Sequence, residues 1–117
     1  MYEVVFYSTP SGNLPVDEFI SEVTDNQNPK EMASIYQAIK LLEKYGFDVV
    51  NNQPKMIKHL REGVYELRPG DNRILFFHFT GNKFILLHGF RKTTRQTPDK
   101  EIRIAIKRMK DYKRRHA

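Results

Sequence analysis

The chain has no cysteine, so neither a disulfide framework nor a thiolate metal site can support it. That absence suits a reducing compartment. No stretch is apolar for long enough to cross a bilayer. The N-terminal run MYEVVFYSTPSG lacks both a basic opening and a long apolar core, so no signal peptide is read there. Internal repeats, linkers and low-complexity segments are missing as well. At 117 residues the chain is expected to form one domain around a modest core, in the cytoplasm and away from membranes.

Arginine is absent from the first 54 residues, which carry three Lys against eight Asp or Glu, a net −5. Residues 55–117 carry seventeen Lys or Arg against six Asp or Glu, a net +11. A basic half of this kind favours a polyanionic partner: nucleic acid, an acidic protein or, less readily, a membrane surface. The alternative is a set of solvated faces around a core.

Glu3–Tyr7 is rich in branched and aromatic residues and predicts a first strand. Pro15 suits a first helical position, and Val16, Phe19, Ile20 and Val23 recur at helical spacing. A second helix is expected with Asn28 as its cap, Pro29 in its first turn and Glu31 completing a capping box. Met32, Ile35, Tyr36, Ile39 and Leu42 form its apolar stripe, and Gly46 stands where a left-handed stop is wanted. From Lys55 the pattern turns to strands: MIKHL, then residues 64–68, 73–80 and 83–90, with turns at 69–72 and at Gly81-Asn82. Thr97 is expected to cap a last helix that has Pro98 at its first position. Ile102, Ala105, Ile106 and Met109 are its apolar face, and Lys107, Arg108, Lys110, Lys113, Arg114 and Arg115 make it basic. The expected fold is α+β: a small, antiparallel-rich sheet packed by two N-terminal helices, with a C-terminal helix.

The two hairpin turns fix a register. Arg68 should oppose Arg73, and Arg73 should oppose Phe90, because a two-residue turn pairs Thr80 with Lys83. Behind that row on the same face come Glu66, Leu75 and His88, while Arg91 and Lys92 leave the last strand beside it. Like charges placed opposite one another destabilise a sheet unless an anion lies between them. Arginine presents a rigid donor fork suited to phosphate oxygens, and an aromatic ring lets a nucleobase stack. The row therefore offers a cradle for one nucleotide. The competing reading pairs the arginines with Glu66 or Asp71 and leaves Phe90 in the core.

His59, His78 and His88 each fall in an expected strand, with no ligand set for zinc around them. His88, one step inward from the arginine row, is a candidate proton-transfer group.

The segment KHLREGVYELRPGDNRILFFHFTGNKFILLHGFRKTTRQTPDKEI resembles the RelE/ParE toxin superfamily, in its HigB-type, phage-derived branch. The marks are the Gly-Val-Tyr-Glu-Leu-Arg strand, an Arg opening the next, a Leu-His-Gly-Phe strand end, then Arg-Lys-Thr and a Thr-Pro helix start. The match is close over about residues 55–107. The resemblance implies a RelE-like fold and a metal-free, cofactor-free endoribonuclease that cuts mRNA in the ribosomal A site. It implies attack by the ribose 2′-OH on the adjacent phosphate, leaving a 2′,3′-cyclic phosphate. It also implies a helix-turn-helix antitoxin that covers the basic surface, operon DNA being reached only through that partner. Carried over residue by residue, the catalytic set is Arg68, Arg73, Arg91 and Lys92, to which His88 is added from its place beside the arginine row. Phe90, Arg95, Lys107 and Arg108 are the expected RNA contacts. A ParE-like, non-enzymatic inhibitor of DNA gyrase and a plain nucleic-acid-binding module remain as alternatives.

Overall fold

Successive residues of the strand Asn72–His78 point to opposite faces of one sheet, and both faces are covered. Ile74 and Phe76 enter one apolar cluster, whereas Leu75 and Phe77 enter another. That is why the run reads as continuously apolar rather than alternating. The computed structural model describes residues 1–25 and 28–117.

The sheet has five strands, β1 (Glu3–Phe6), β2 (Ile57–Arg61), β3 (Val64–Leu67), β4 (Asn72–His78) and β5 (Lys83–Arg91), in the order β1-β5-β4-β3-β2. β1 runs parallel to β5, and every other pair is antiparallel. Helices α1 (Pro15–Asp25) and α2 (Pro29–Tyr45) bury Val16, Ile20, Ile35 and Leu42 on one face. A 3-10 turn at Gly46–Asp48 and a single helical turn, α3 (Val49–Asn52), follow α2. No periodicity in the sequence marks them; a buried Val49 anchors them to the core. On the other face α4 (Asp99–Arg115) packs Ile102, Ala105, Ile106 and Met109 over Val64, Leu75 and Phe77. The α+β architecture is the expected one.

Several local expectations are corrected. Asn28 does cap α2, its Oδ1 accepting from Glu31 N at 3.3 Å. Yet the Glu31 carboxylate turns away to Asn72 and Arg91, so the capping box is left half made. Tyr36 leaves the apolar stripe and is 46% exposed, while Ala38 is buried. Pro98, not Thr97, occupies the cap position of α4: Glu101 N and Ile102 N donate to Pro98 O at 3.0 and 3.4 Å. Thr97 gives its hydroxyl to Glu66 instead.

The β4–β5 turn is also one residue longer than expected. Phe79 N donates to Lys83 O at 2.9 Å, which leaves Thr80, Gly81 and Asn82 in the loop, with Gly81 at φ +63°. His78 then opposes Phe84 and Phe77 opposes Ile85. A bulge at Leu87 inserts one residue into β5, so Leu75 opposes His88 and Arg73 opposes Phe90. The longer turn and the bulge cancel, and the expected pairing at the far end of the sheet is recovered.

Candidate functional site

Alternation along β3 places Val64 and Glu66 on the α4 face, and Glu66 is 1% exposed. Glu66 opposes Leu75, one step inward from the Arg73–Phe90 pair. Arg68 follows β3, with its backbone N donating to Met56 O at 2.8 Å. Both arginines turn towards this carboxylate. Arg68 Nε lies 3.3 Å and Arg73 Nε 3.7 Å from Glu66 Oε1. The Arg68 contact is charge without an aligned hydrogen bond. The anion that two neighbouring arginines require is thus supplied by the chain itself.

Arg73 and Arg68 differ in what else they do. Arg73 is 6% exposed, and its Nη1 donates to Gly70 O at 2.7 Å and Asn72 O at 2.9 Å, which closes the 69–72 turn. Burial, then the Arg68 charge, pulls its pKa below the ordinary arginine value. Arg68 keeps a side chain 29% exposed, with no hydrogen bond from its terminal nitrogens to any described residue. Arg91 crosses to the α1–α2 face, where it pairs with Glu31 and lies 3.7 Å from Asp71. Lys92 and Arg95 are exposed and make no ion pair among the described residues. With Glu66, Arg73, Phe90 and the other residues of 93–98 they line a crevice of only ≈ 10 Å³.

Phe90 packs against the α4-side cluster and stacks on His88, with ring centroids 5.6 Å apart. His88 has both nitrogens engaged: Nε2 is 3.0 Å from Glu101 Oε1 and Nδ1 is 3.2 Å from Arg108 Nη1. An arginine can only donate, so Nδ1 is the acceptor and Nε2 carries the proton that goes to Glu101. Arg108 also donates to Leu87 O at 2.9 Å, clasping the bulge. The expected RNA contact Arg108 is therefore a strut between α4 and β5. Its neighbour Lys107 is exposed and lines a different hollow, beside Tyr7 and Pro10. The nine expected site residues thus divide. Arg68, Arg73, Phe90, Lys92 and Arg95 gather at one end of the sheet, with Arg91 on its reverse. His88 and Arg108 lie inward, and Lys107 lies apart.

Burial above all pushes the His88 pKa below its usual value, with Arg108 adding to the effect and Glu101 opposing it. A lowered histidine pKa means that the unfolded chain binds the proton more readily. The stability His88 contributes is therefore full above about pH 6.5 and is lost as pH falls through the lowered folded value. Between pH 7 and 5, urea unfolding of the wild type should lose stability at up to about 1.4 kcal/mol per pH unit. His88→Gln should flatten that slope. A slope unchanged by the substitution would refute the assignment.

Sequence reasoning missed how Glu31 and Asn72 are used, because their partners lie 41 and 60 positions away. Among the described residues no three His, Asp or Glu side chains are close enough to hold a metal ion. Among the described residues no helix is long and apolar enough to cross a membrane. A family model described as "Phage derived protein Gp49-like" matches residues 22–110. No curated protein matches the chain.

Proposed function

The chain belongs to the Gp49-like family of phage-derived proteins, a toxin-like family related to RelE/ParE-type toxins, and from that footing we propose that it is the toxin of a type II toxin–antitoxin pair, a HigB-type endoribonuclease that cuts mRNA on the ribosome. The observation that carries this reading is a group of cations at one end of the sheet, of which Lys92 and Arg95 have no carboxylate partner among the described residues. Lys92 and Arg95 line the Glu66–Arg73 crevice, and Arg68, which reaches the same Glu66 carboxylate, lines a neighbouring hollow with Gln53, Pro54, Lys55 and Met56. A nucleotide does not fit inside ≈ 10 Å³, so the scissile phosphate sits on the rim, against Lys92, Arg95 and Arg68. The exposed run 93–96 also lines the crevice, and the next residue, Thr97, gives its hydroxyl to Glu66.

The chemistry follows from the charges. The ribose 2′-oxygen attacks the adjacent phosphorus, its proton passes to solvent water, and the bond to the 5′-oxygen breaks to give a 2′,3′-cyclic phosphate and a 5′-OH. Charge grows on the phosphorane oxygens, and fixed cations stabilise it more than they stabilise the ground state. Arg68 and Arg95 hold those oxygens, and Lys92 supplies the proton to the departing 5′-oxygen. Arg73 acts through Arg68 and the turn it closes, and it is a positioning residue. His88, with both nitrogens engaged, is left out of the proton transfers. The protein works where mRNA is translated, in the cytoplasm, and a helix-turn-helix antitoxin covers the same cations.

A second reading has one observation in its favour. Arg68 and Arg73 converge on Glu66 rather than on open space, which suits a ParE-like gyrase inhibitor that need not hold a phosphate. One experiment separates the two. The chain is expressed, and 5′ ends of translated mRNA are mapped. Cuts inside codons that fall about 100-fold in Arg68→Ala/Lys92→Ala support the nuclease. Its melting curve is recorded to confirm that it is folded, because Arg68 also faces the buried Glu66, whereas Lys92→Ala alone, at an exposed side chain, should unfold at the wild-type temperature. DNA damage with intact mRNA selects the gyrase reading, and no effect on either discards both.

A further inference from the structure

The hollow that Arg68 lines with Gln53, Pro54, Lys55 and Met56 has a volume of ≈ 420 Å³, enough for one nucleotide where the crevice is not. Its place follows from the backbone. β2 and β3 pair from Ile57 opposite Leu67, and Arg68 N extends that ladder to Met56 O at 2.8 Å. Met56 N donates to Gln53 O at 3.0 Å, so a turn closes just before β2, and Lys55 stands in it. Three features give the hollow a chemistry. Its charge is of one sign: Lys55 and Arg68 line it, and among the described residues no Asp or Glu does. Those cations have donors to spare. The Lys55 side chain is exposed and makes no hydrogen bond or ion pair with any described residue, and Arg68 turns only its Nε to Glu66. The remaining wall is apolar, from Pro54 and from Met56, which packs against the core on the α1–α2 side.

A ligand that answers all three features carries an anion on a weakly polar body, which is the make-up of each nucleotide in a single strand. We propose that this hollow is a second phosphate subsite. Lys55 and Arg68 hold an RNA phosphate next to the scissile one there, and the sugar or base of that nucleotide lies over Pro54 and Met56. The inference rests on the nuclease reading. It adds Lys55 as a binding residue and a course for the RNA, from Lys92 and Arg95 across Arg68 to the turn before β2. Arg68 suits the middle of that course, because a guanidinium presents separate N–H edges to two phosphates, and the flexible stem of Lys55 lets its charge follow the second. An acidic protein segment also brings anions, but rarely one on every residue. RNA carries one on every nucleotide, which matches cations standing on both sides of Arg68.

Binding of a 2′-O-methyl RNA oligonucleotide, which has no 2′-OH to attack, is measured on the purified full chain by fluorescence anisotropy across a salt series. Each phosphate contact on a single strand contributes about 0.7 to the slope of log affinity against log salt. Lys55→Ala should therefore lower that slope by about 0.7, and Lys55→Arg should restore it. Lys40→Ala, at an exposed lysine of α2, should leave the slope unchanged. With methionine methyls labelled by 13C, the oligonucleotide should move the Met56 signal further than inorganic phosphate does, which separates a nucleotide from a free anion. The expected slope change without any mRNA cutting keeps the subsite and discards the nuclease. Cutting by the wild type, with equal slopes in Lys55→Ala and Lys40→Ala, discards the subsite and keeps the nuclease. Binding of poly-glutamate that Lys55→Ala abolishes, with the RNA slope unmoved, overturns the inference in favour of an acidic protein segment.

Discussion

Replacing Glu66 with Ala should lower the free energy of unfolding by about 3–5 kcal/mol, the range for breaking a buried ion pair from one side. Arg68 can turn its guanidinium to water, since its side chain is 29% exposed. Arg73 cannot: it is 6% exposed and its Nη1 is bound into the 69–72 turn. It would keep its charge in a buried layer with only the exposed Asp71 carboxylate, outside ion-pair contact, to offset it, beside a Thr97 hydroxyl that has also lost its acceptor. Urea unfolding reads the loss. Glu66→Gln should lose less, because an amide oxygen can still accept from Thr97. Replacing Glu66 and Arg73 together by Leu and Met should restore most of the stability, since no unpaired charge remains. A Glu66→Ala protein as stable as the wild type would show that Arg73 does not depend on this carboxylate.

Gly46→Ala is expected to have the next largest effect, about 3 kcal/mol, from two sources that coincide at one residue. Gly46 sits at φ +58° and ψ −137°, where a Cβ clashes with its own backbone. The added methyl would also stand 2.5 Å from Tyr2 Cζ and 2.6 Å from Cε2. Tyr2 has little freedom to retreat: its N donates to Glu43 O at 2.8 Å and its ring lies 5.2 Å from that of Phe84. The melting temperature should fall by roughly 10–20 °C. Gly81 is the control, with φ +63° and open space where a Cβ would go. Gly81→Ala should lose only the backbone part, about 1 kcal/mol. Equal losses at the two glycines would mean that the Tyr2 contact contributes nothing.

Much of this fold is local, and local features are legible in a sequence. The apolar spacing of Val16, Phe19, Ile20 and Val23, the Asn28 cap and the Gly46 stop each act within a turn or two of chain. Within β3 and β4 alternation fixed which residues share a face, because the side-chain period of a strand is two. The pairing of Arg73 with Phe90 was reached through a turn one residue too short, which the Leu87 bulge repairs. A bulge has no reliable signature when every residue around it is apolar. The short helical turns after Gly46 were invisible for a similar reason: they are shaped by what Val49 packs on, not by their own propensity.

The sequence by itself determined that one end of a small sheet would carry Arg68, Arg73, Phe90, Lys92 and Arg95, since register and charge are properties of the chain order. Tertiary structure decided how those charges are used. The fold carries Thr97 from the loop before α4 to Glu66, and sets Glu31 from α2 beside Arg91. It thereby separates cations bound to internal carboxylates from those still facing solvent. Partners for a buried charge come from whichever segments the packing brings alongside, and no spacing in the chain encodes that meeting.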